Sequence, residues 1–315
     1  MLKGFNKGVN FGGWLSQCDY SDDRLNNFIT EPDFETVSKW GIDHVRIPVD
    51  YNVFENNDGT YKEEGFERLD KAFSLCEKYS LNAVLDLHKT AGFSFDNYGE
   101  NEAGFFENEQ LQERFYRLWE EFAKRYGKLK DRIAFELLNE VTDKEYIVTW
   151  NNIANECIKR IRVYAPDTLI LVGSYHNNSA HAVPDLDKPY DEKVVYNFHC
   201  YEPIKFTHQG AYWTDMINKD DRFTFDESNI TPEFFEELFK PALDAAKQNN
   251  TTLYCGEYGV IDIVSPEDTL KWFECINSVF EKYGISRCAW SYKEMDFGLS
   301  DKRLDNIRGD LFKYL

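Results

Sequence analysis

Paired cysteines are missing from this sequence. The seven present are scattered, and none is spaced as a CxxC or zinc-ligand pattern, which sets aside a disulfide framework, a thioredoxin-like redox motif and a zinc ribbon. Cys76, Cys157 and Cys275 fall on apolar faces of expected helices and read as small core residues. Cys200 and Cys255 stand beside the expected site, but no partner pattern supports a thiol nucleophile. Histidine is scarce as well. His176, His181 and His208 sit in expected loops, and no pair has ligand spacing with a third partner. Pro184-Asp185-Leu186-Asp187 offers too few oxygen donors for a calcium loop, so neither metal nor cofactor is expected. Gly12-Gly13 lacks the following helix and ribose-binding acid of a dinucleotide fingerprint. No apolar run reaches the roughly 18 residues of a membrane span. No apolar signal core opens the chain, so as written it is expected in the cytoplasm, and outside the cell if a leader precedes it and is removed. Basic residues are outnumbered 56 to 36, and the net charge of -20 argues against nucleic acid or an anionic membrane as partner.

Aromatic side chains are abundant, with 25 Phe, 19 Tyr and 7 Trp. They suit core and helix packing, and also a cleft that stacks on flat ligand faces. Apolar residues make up 42% of the chain, enough for a full core, and 315 residues suit one large α/β barrel. Two stretches organise the rest. Phe135-Glu136-Leu137-Leu138-Asn139-Glu140-Val141 reads as a strand ending in an amide beside a carboxylate. Thr251 to Cys255 reads as a second strand, followed directly by Gly256-Glu257-Tyr258-Gly259.

Taken in order, residues 5–12 form a weak first strand, and Thr30 caps a helix with Pro32 and Asp33 in its first turn. Further strands are expected at 42–48, 81–87, 133–138, 169–172, 194–198, 251–255 and 285–289. Helical periodicity marks 63–79, 108–126 and 146–164, a capped helix from Ser265 to Tyr283, and a last helix at about 305–314. A helical region begins at Thr231-Pro232, which Pro241 is expected to kink or split. A loop after the third strand carries Phe93, Phe95, Tyr98, Phe105 and Phe106. Residues 201–230 form a long insertion containing Phe206, Tyr212, Trp213, Phe223 and Phe225, and a loop of that length reads as a lid or cleft wall. Eight strands alternating with helices, with no linker, predict a single (β/α)8 TIM-barrel domain over 1–315, with the insertion over its cleft. An open doubly wound sheet competes, but leaves unexplained why polar residues gather at so many strand ends.

Those ends carry Arg46, His88, Asn139-Glu140, His199-Tyr201, Glu257 and Trp290. At the C-terminal end of a barrel, where chemistry is done, two facing carboxylates are what acid-catalysed glycosidic cleavage requires. Glu136 lies deeper on its strand than Glu140 and reads as a structural ion pair inside the barrel.

With these residues in place the chain resembles glycoside hydrolase family 5 over essentially its whole length. The start, Gly8-Val9-Asn10-Phe11-Gly12-Gly13-Trp14-Leu15, and the end, Ala289-Trp290-Ser291-Tyr292-Lys293-Glu294-Met295-Asp296-Phe297, look like its clostridial-type endo-β-glucanases. Val141 departs from the proline that many members carry after the acid, which changes loop stiffness and not chemistry. The resemblance implies a retaining double displacement with Glu140 as acid/base and Glu257 as nucleophile. Arg46 and Tyr201 would stabilise Glu257, and His199 would tune the proton of Glu140. Asn139 would hold the sugar 2-hydroxyl, His88 would donate to another hydroxyl, and Trp290 would form the floor. Trp14, Trp213 and Tyr292 are expected at flanking sugar sites. The implied substrate is a β-1,4-linked or mixed-linkage β-1,3-1,4-glucan, polymer or oligosaccharide, acted on by a monomer. A β-mannanase, an exo-acting β-1,3-glucanase or β-glucosidase, and an inactive sugar-binding barrel are the alternatives.

Overall fold

The computed structural model describes residues 1–96 and 102–315, so that Tyr98 of the aromatic loop lies outside the described residues. Eight strands form the centre: β1 Lys7–Asn10, β2 His44–Asp50, β3 Asn82–Lys89, β4 Ile133–Glu136, β5 Ile170–Val172, β6 Val194–Cys200, β7 Leu253–Tyr258 and β8 Ser286–Ala289. Each pairs in parallel with its sequence neighbours, and β1 pairs with β8 to close the barrel. This is the (β/α)8 barrel that the strand count predicts.

Amphipathic helices clothe it at Glu31–Ser38, Glu63–Lys78, Glu109–Tyr126, Ile147–Tyr164, Pro232–Gln248 and Pro266–Tyr283. Their apolar faces are buried; in Glu109–Tyr126 these are Phe115, Leu118, Trp119 and Phe122. After β5 there is only the short turn Tyr175–Asn178 and a 3-10 segment, Ala180–Asp185. Two expectations are tested, a split at Pro241 and a last helix at about 305–314. Pro232–Gln248 is not split at Pro241, because Phe235, Phe239, Ala242 and Ala245 bury one face that outweighs a single missing hydrogen bond. The last expected helix breaks into Lys302–Leu304, Arg308–Leu311 and Phe312–Tyr314. With Asp305, Asn306 and Gly309 among so few residues, helical propensity there is low.

Alternate residues of a strand face one side, so the barrel interior fills in layers. The lowest is apolar: Val84, Ala134, Leu171, Val195, Tyr254 and Cys288. Two residues further along each strand stand the polar groups Asn10, Arg46, Asp86, Glu136 and Asn197, all fully buried. Above them, at the C-terminal mouth, come His88, His199, Glu257 and Trp290. All seven cysteines are free and buried, and among the described residues no helix is long and apolar enough to cross a membrane.

Candidate active site

Arg46 is the hub beneath the mouth. A guanidinium has five N–H donors, and all five are used here. Nε and Nη2 hold the Glu136 oxygens at 2.7 and 2.8 Å, Nη1 reaches Glu257 Oε1 at 2.7 Å and Asn10 Oδ1 at 2.9 Å, and Nη2 also meets Asn139 Oδ1 at 2.9 Å. Glu136 also accepts from Asn197 at 2.8 Å, so it is the structural ion-pair partner its depth predicts. Asp86 Oδ2 lies 3.0 Å from Nη2. Burial raises the carboxyl of Asp86 to about 7, against the pull of Arg46.

A local distortion aims Glu257. Phe198 pairs with Cys255, but the β6–β7 register then slips so that His199 pairs with Glu257. The slip spends Gly256 and turns Glu257 inward, where strict alternation would have turned it out. Only glycine fits at the slip: a Cβ on Gly256 would lie 2.8 Å from Asn197 Oδ1 and 3.0 Å from His199 Nε2. The strand thus runs on to Tyr258, three residues beyond its expected end. Tyr201 donates to Glu257 Oε2 at 2.8 Å, so both oxygens of that carboxylate are held.

Glu140 follows β4 with a left-handed φ of 43°, a conformation that costs a non-glycine residue strain and is met at functional sites. Its Oε1 lies 2.7 Å from His199 Nδ1, and its Oε2 accepts from Asn177 at 3.0 Å. Asn178 donates to His199 Nε2 at 3.3 Å, leaving the ring proton on Nδ1 to face Glu140. Burial lowers His199 to about 4, so the ring is neutral, and burial raises Glu140 to about 7, Asn177 opposing. Glu140, His199 and Glu257 place one ligand atom each within 4.8 Å of one another. That trio has the composition of a metal site, yet Arg46 and Tyr201 already occupy Glu257, and a guanidinium at 2.7 Å repels a cation.

Asn139 turns its carbonyl to Arg46, and its Nδ2 has no protein partner among the described residues, leaving one buried donor for a ligand. His88 Nδ1 sits 2.6 Å from Asp86 Oδ2, and its ring stacks parallel to Trp290 with centroids 5.9 Å apart. Gly12 makes room for that tryptophan: a Cβ there would lie 2.6 Å from its ring.

The structure brings together Arg46, His88, Asn139, Glu140, His199, Tyr201, Glu257 and Trp290. It does not bring Trp14 or Tyr292 to a sugar site. Both are buried in the wall, where Trp14 donates to the Leu25 carbonyl at 2.9 Å and Tyr292 donates to Asp33 at 2.8 Å, so neither face is free to stack. Trp213 is 45% exposed in the insertion, beside His208 and Phe297, which both touch Tyr201. Cys200 and Cys255 alternate with inward-facing neighbours, and burial pushes both thiols well up, so neither is a nucleophile. Sequence reasoning missed Asn10, Asp86, Asn177, Asn178 and Asn197. The parity of Asp86 with His88 was the one available signal.

A closed barrel with a close carboxylate pair at its C-terminal mouth, one buried beside a neutral imidazole and one clamped by an arginine, defines an O-glycosidase. The chain belongs to the cellulase family, glycosyl hydrolase family 5, which matches residues 5–296. It is 60% identical to cellodextrinase A of Ruminococcus flavefaciens across 91% of this chain and 86% of that one. It is 34% identical to endoglucanase C of Acetivibrio thermocellus, covering 99% and 98%. Among solved structures, cellulose synthase subunit Z of Clostridioides difficile superposes with a TM-score of 0.84 at 26% identity, covering 99% of both chains.

Proposed function

We infer that this chain is a retaining endo-β-glucanase that cleaves β-1,4 linkages in cellulose-type and mixed-linkage β-1,3-1,4-glucans and in their shorter oligosaccharides. The observation that carries the reading is the carboxylate pair, with oxygens of Glu140 and Glu257 within 4.8 Å. Retaining enzymes hold theirs about 5–5.5 Å apart, whereas inverting ones leave about 6.5–9.5 Å for a water. The names of the two sequence relatives support the glucan.

Glu257, oriented by Arg46 and Tyr201, attacks the anomeric carbon as the glycosidic C–O bond breaks. Glu140 gives its proton to the departing oxygen, which leaves as a free hydroxyl. Glu140, now ionised, takes a proton from water, whose oxygen displaces Glu257 from the sugar. Two inversions return the β-anomer. Asn139 Nδ2 donates to the sugar 2-hydroxyl, a contact that strengthens as positive charge develops on the ring. His88 contacts a further hydroxyl over the face of Trp290. The insertion is read as a wall at one end of the cleft, with Trp213 as an exposed platform and Phe206, Phe223 and Phe225 as the packing beneath it.

Reducing-sugar release tests the substrate, and early-time NMR of the products tests the stereochemistry. Barley β-glucan and carboxymethylcellulose should be cut, with the β-anomer appearing first. Release from laminarin or galactomannan alone, or a first-formed α-anomer, would overturn the reading.

A further inference from the structure

The left-handed φ of Glu140 persists only where the surroundings over-determine it, and they do so from both sides. Before it, the Asn139 N–H donates to the Leu87 carbonyl of β3 at 3.0 Å. After it, the Val141 and Thr142 carbonyls accept from the N–H groups of Asn177 and His176, both at 3.1 Å. Both donors belong to the turn Tyr175–Asn178, which contains three consecutive left-handed residues: His176, Asn177 and Asn178, with φ of 51°, 56° and 56°. That conformation is costly for side chains other than glycine, and asparagine bears it better than most. The turn is anchored from behind. Trp150 Nε1 donates to the Gly173 carbonyl at 2.8 Å, Ser174 Oγ to the Ala182 carbonyl at 2.8 Å, and the Tyr175 hydroxyl to Asp185 at 2.5 Å. Its two amides are aimed at the acid and its neighbour: Asn177 Nδ2 donates to Glu140 Oε2 at 3.0 Å, and Asn178 Nδ2 donates to His199 Nε2 at 3.3 Å. Asn178 is wholly buried, and Asn177 is exposed.

We propose that this turn is the positioning element of the acid: its backbone holds the strained segment at Glu140, Asn177 fixes the rotation of the Glu140 carboxyl, and Asn178 keeps the His199 proton on the nitrogen that faces it. The carboxyl then accepts on both oxygens, from His199 Nδ1–H at 2.7 Å and from Asn177 at 3.0 Å. Two of its four lone-pair positions are filled, so the proton it gives up is confined to the other two. A donor on Oε2 also favours the ionised carboxylate, so Asn177 limits how far burial raises Glu140. The other charged or titratable groups that act on Glu140 are Arg46 of β2, Asp86 and His88 of β3, Asp96 after β3, His199 of β6, Tyr201 and Glu257. On the turn itself, the exposed His176 ring packs edge-on against Tyr175. This inference rests on Glu140 being the acid of the glucanase reading.

The test uses two variants that keep the left-handed backbone. Asn177→Gly removes only the amide, and Asn177→Asp sets a second carboxylate against Glu140. With cellotetraose, the alkaline limb of kcat/KM should move up by roughly half to one pH unit in Asn177→Gly, the worth of one hydrogen bond. In Asn177→Asp it should move further, because a like charge disfavours ionisation. Below the limb, both variants should lose more kcat/KM on cellotetraose than on 2,4-dinitrophenyl β-cellobioside, whose leaving group needs no proton. Limbs that stay where the unaltered protein has them would overturn the positioning role, and a raised KM beside them would make Asn177 a sugar contact instead. Equal losses on the two substrates would overturn it as well. A measurement on the unaltered protein is independent of the variants. With 15N-labelled histidine, His199 should show a protonated Nδ1 and a bare Nε2 throughout the neutral range, and an Nε2–H form would overturn the part given to Asn178. Each of these failures leaves the glucanase reading standing. No hydrolysis of cellotetraose by the unaltered protein would instead remove that reading, and the inference with it.

Discussion

Two glutamates of one site differ through what each touches. Glu257 meets a guanidinium and a phenol, while Glu140 meets a neutral imidazole and an amide in a buried setting that raises it to about 7. Below that pH Glu140 carries the proton that the proposed acid role requires; above it the proton is gone. The kcat/KM on unactivated cellodextrins should therefore fall as pH rises through about 7. In Glu140→Gln, kcat/KM on an activated aryl glycoside, which needs no proton at its leaving group, should stay flat through the same range. A variant that keeps the alkaline limb would assign it to another group. The sign for stability is the same. A folded-state carboxyl raised above its ordinary 4.5 favours the fold while protonated and stops doing so as pH rises through about 7. Glu140→Gln should thus gain melting temperature over wild type at pH 8–9 and little at pH 5. The residues with these roles were legible because each ends a strand and carries polar chemistry. Asn177 and Asn178 were not, because they reach the site from a turn with no periodicity to place it.

Helices were legible because burial imposes a period near 3.6, as in Glu63–Lys78 with Phe66, Leu69, Phe73 and Cys76 on its buried side. Strand ends were less so. The sequence cannot advertise a one-residue register slip, and the slip at Gly256 is what places Glu257 in the mouth. Trp14 and Tyr292 failed as platforms for a related reason: an aromatic near a strand end reads the same whether its ring faces the cleft or packs into the wall. The slip itself can be tested. In Gly256→Ala the methyl would press on Asn197 and His199, within 3.0 Å of both. Relief would shift Glu257 by a few tenths of an ångström or more, and misplacements of about 1 Å cost roughly 100-fold in rate. We expect kcat to fall by about that factor, with about 1–3 kcal/mol lost on denaturant unfolding from overpacking. Wild-type kcat in a folded variant would mean that the strand absorbs the methyl without moving the carboxylate.

At the scale of the whole molecule, a chain of net charge -20 gains nothing from long-range attraction to a neutral polysaccharide. Binding along the cleft has to come from hydroxyl contacts and from flat apolar faces. On the proposed reading the insertion supplies such a face. Gln209 ties the loop down by donating to the Phe206 and Phe223 carbonyls, both at 3.0 Å, and accepting from the Phe223 N–H at 2.8 Å. Phe206 is wholly buried beneath it, while Tyr212 and Trp213 stay exposed at 71% and 45%. The aromatics thus divide between packing and display, which composition alone could not separate. Trp213 leans on Phe297 and His208, and both of these touch Tyr201, so the displayed ring stands on the same aromatic cluster as the tyrosine that donates to Glu257. If it is a platform for a distant sugar, Trp213→Ala should weaken binding of long β-glucan chains by roughly 1–3 kcal/mol, the scale of aromatic stacking on other flat ligands. Short aryl glycosides, which do not extend so far, should keep their kcat/KM, because their transition state never contacted the ring. Titration calorimetry on an inactive Glu257→Ala background, run with cellohexaose and with cellobiose, separates the two. Equal losses for both ligands, or a lowered melting temperature with affinities intact, would place Trp213 in the packing with Phe206 and leave the wall without its platform.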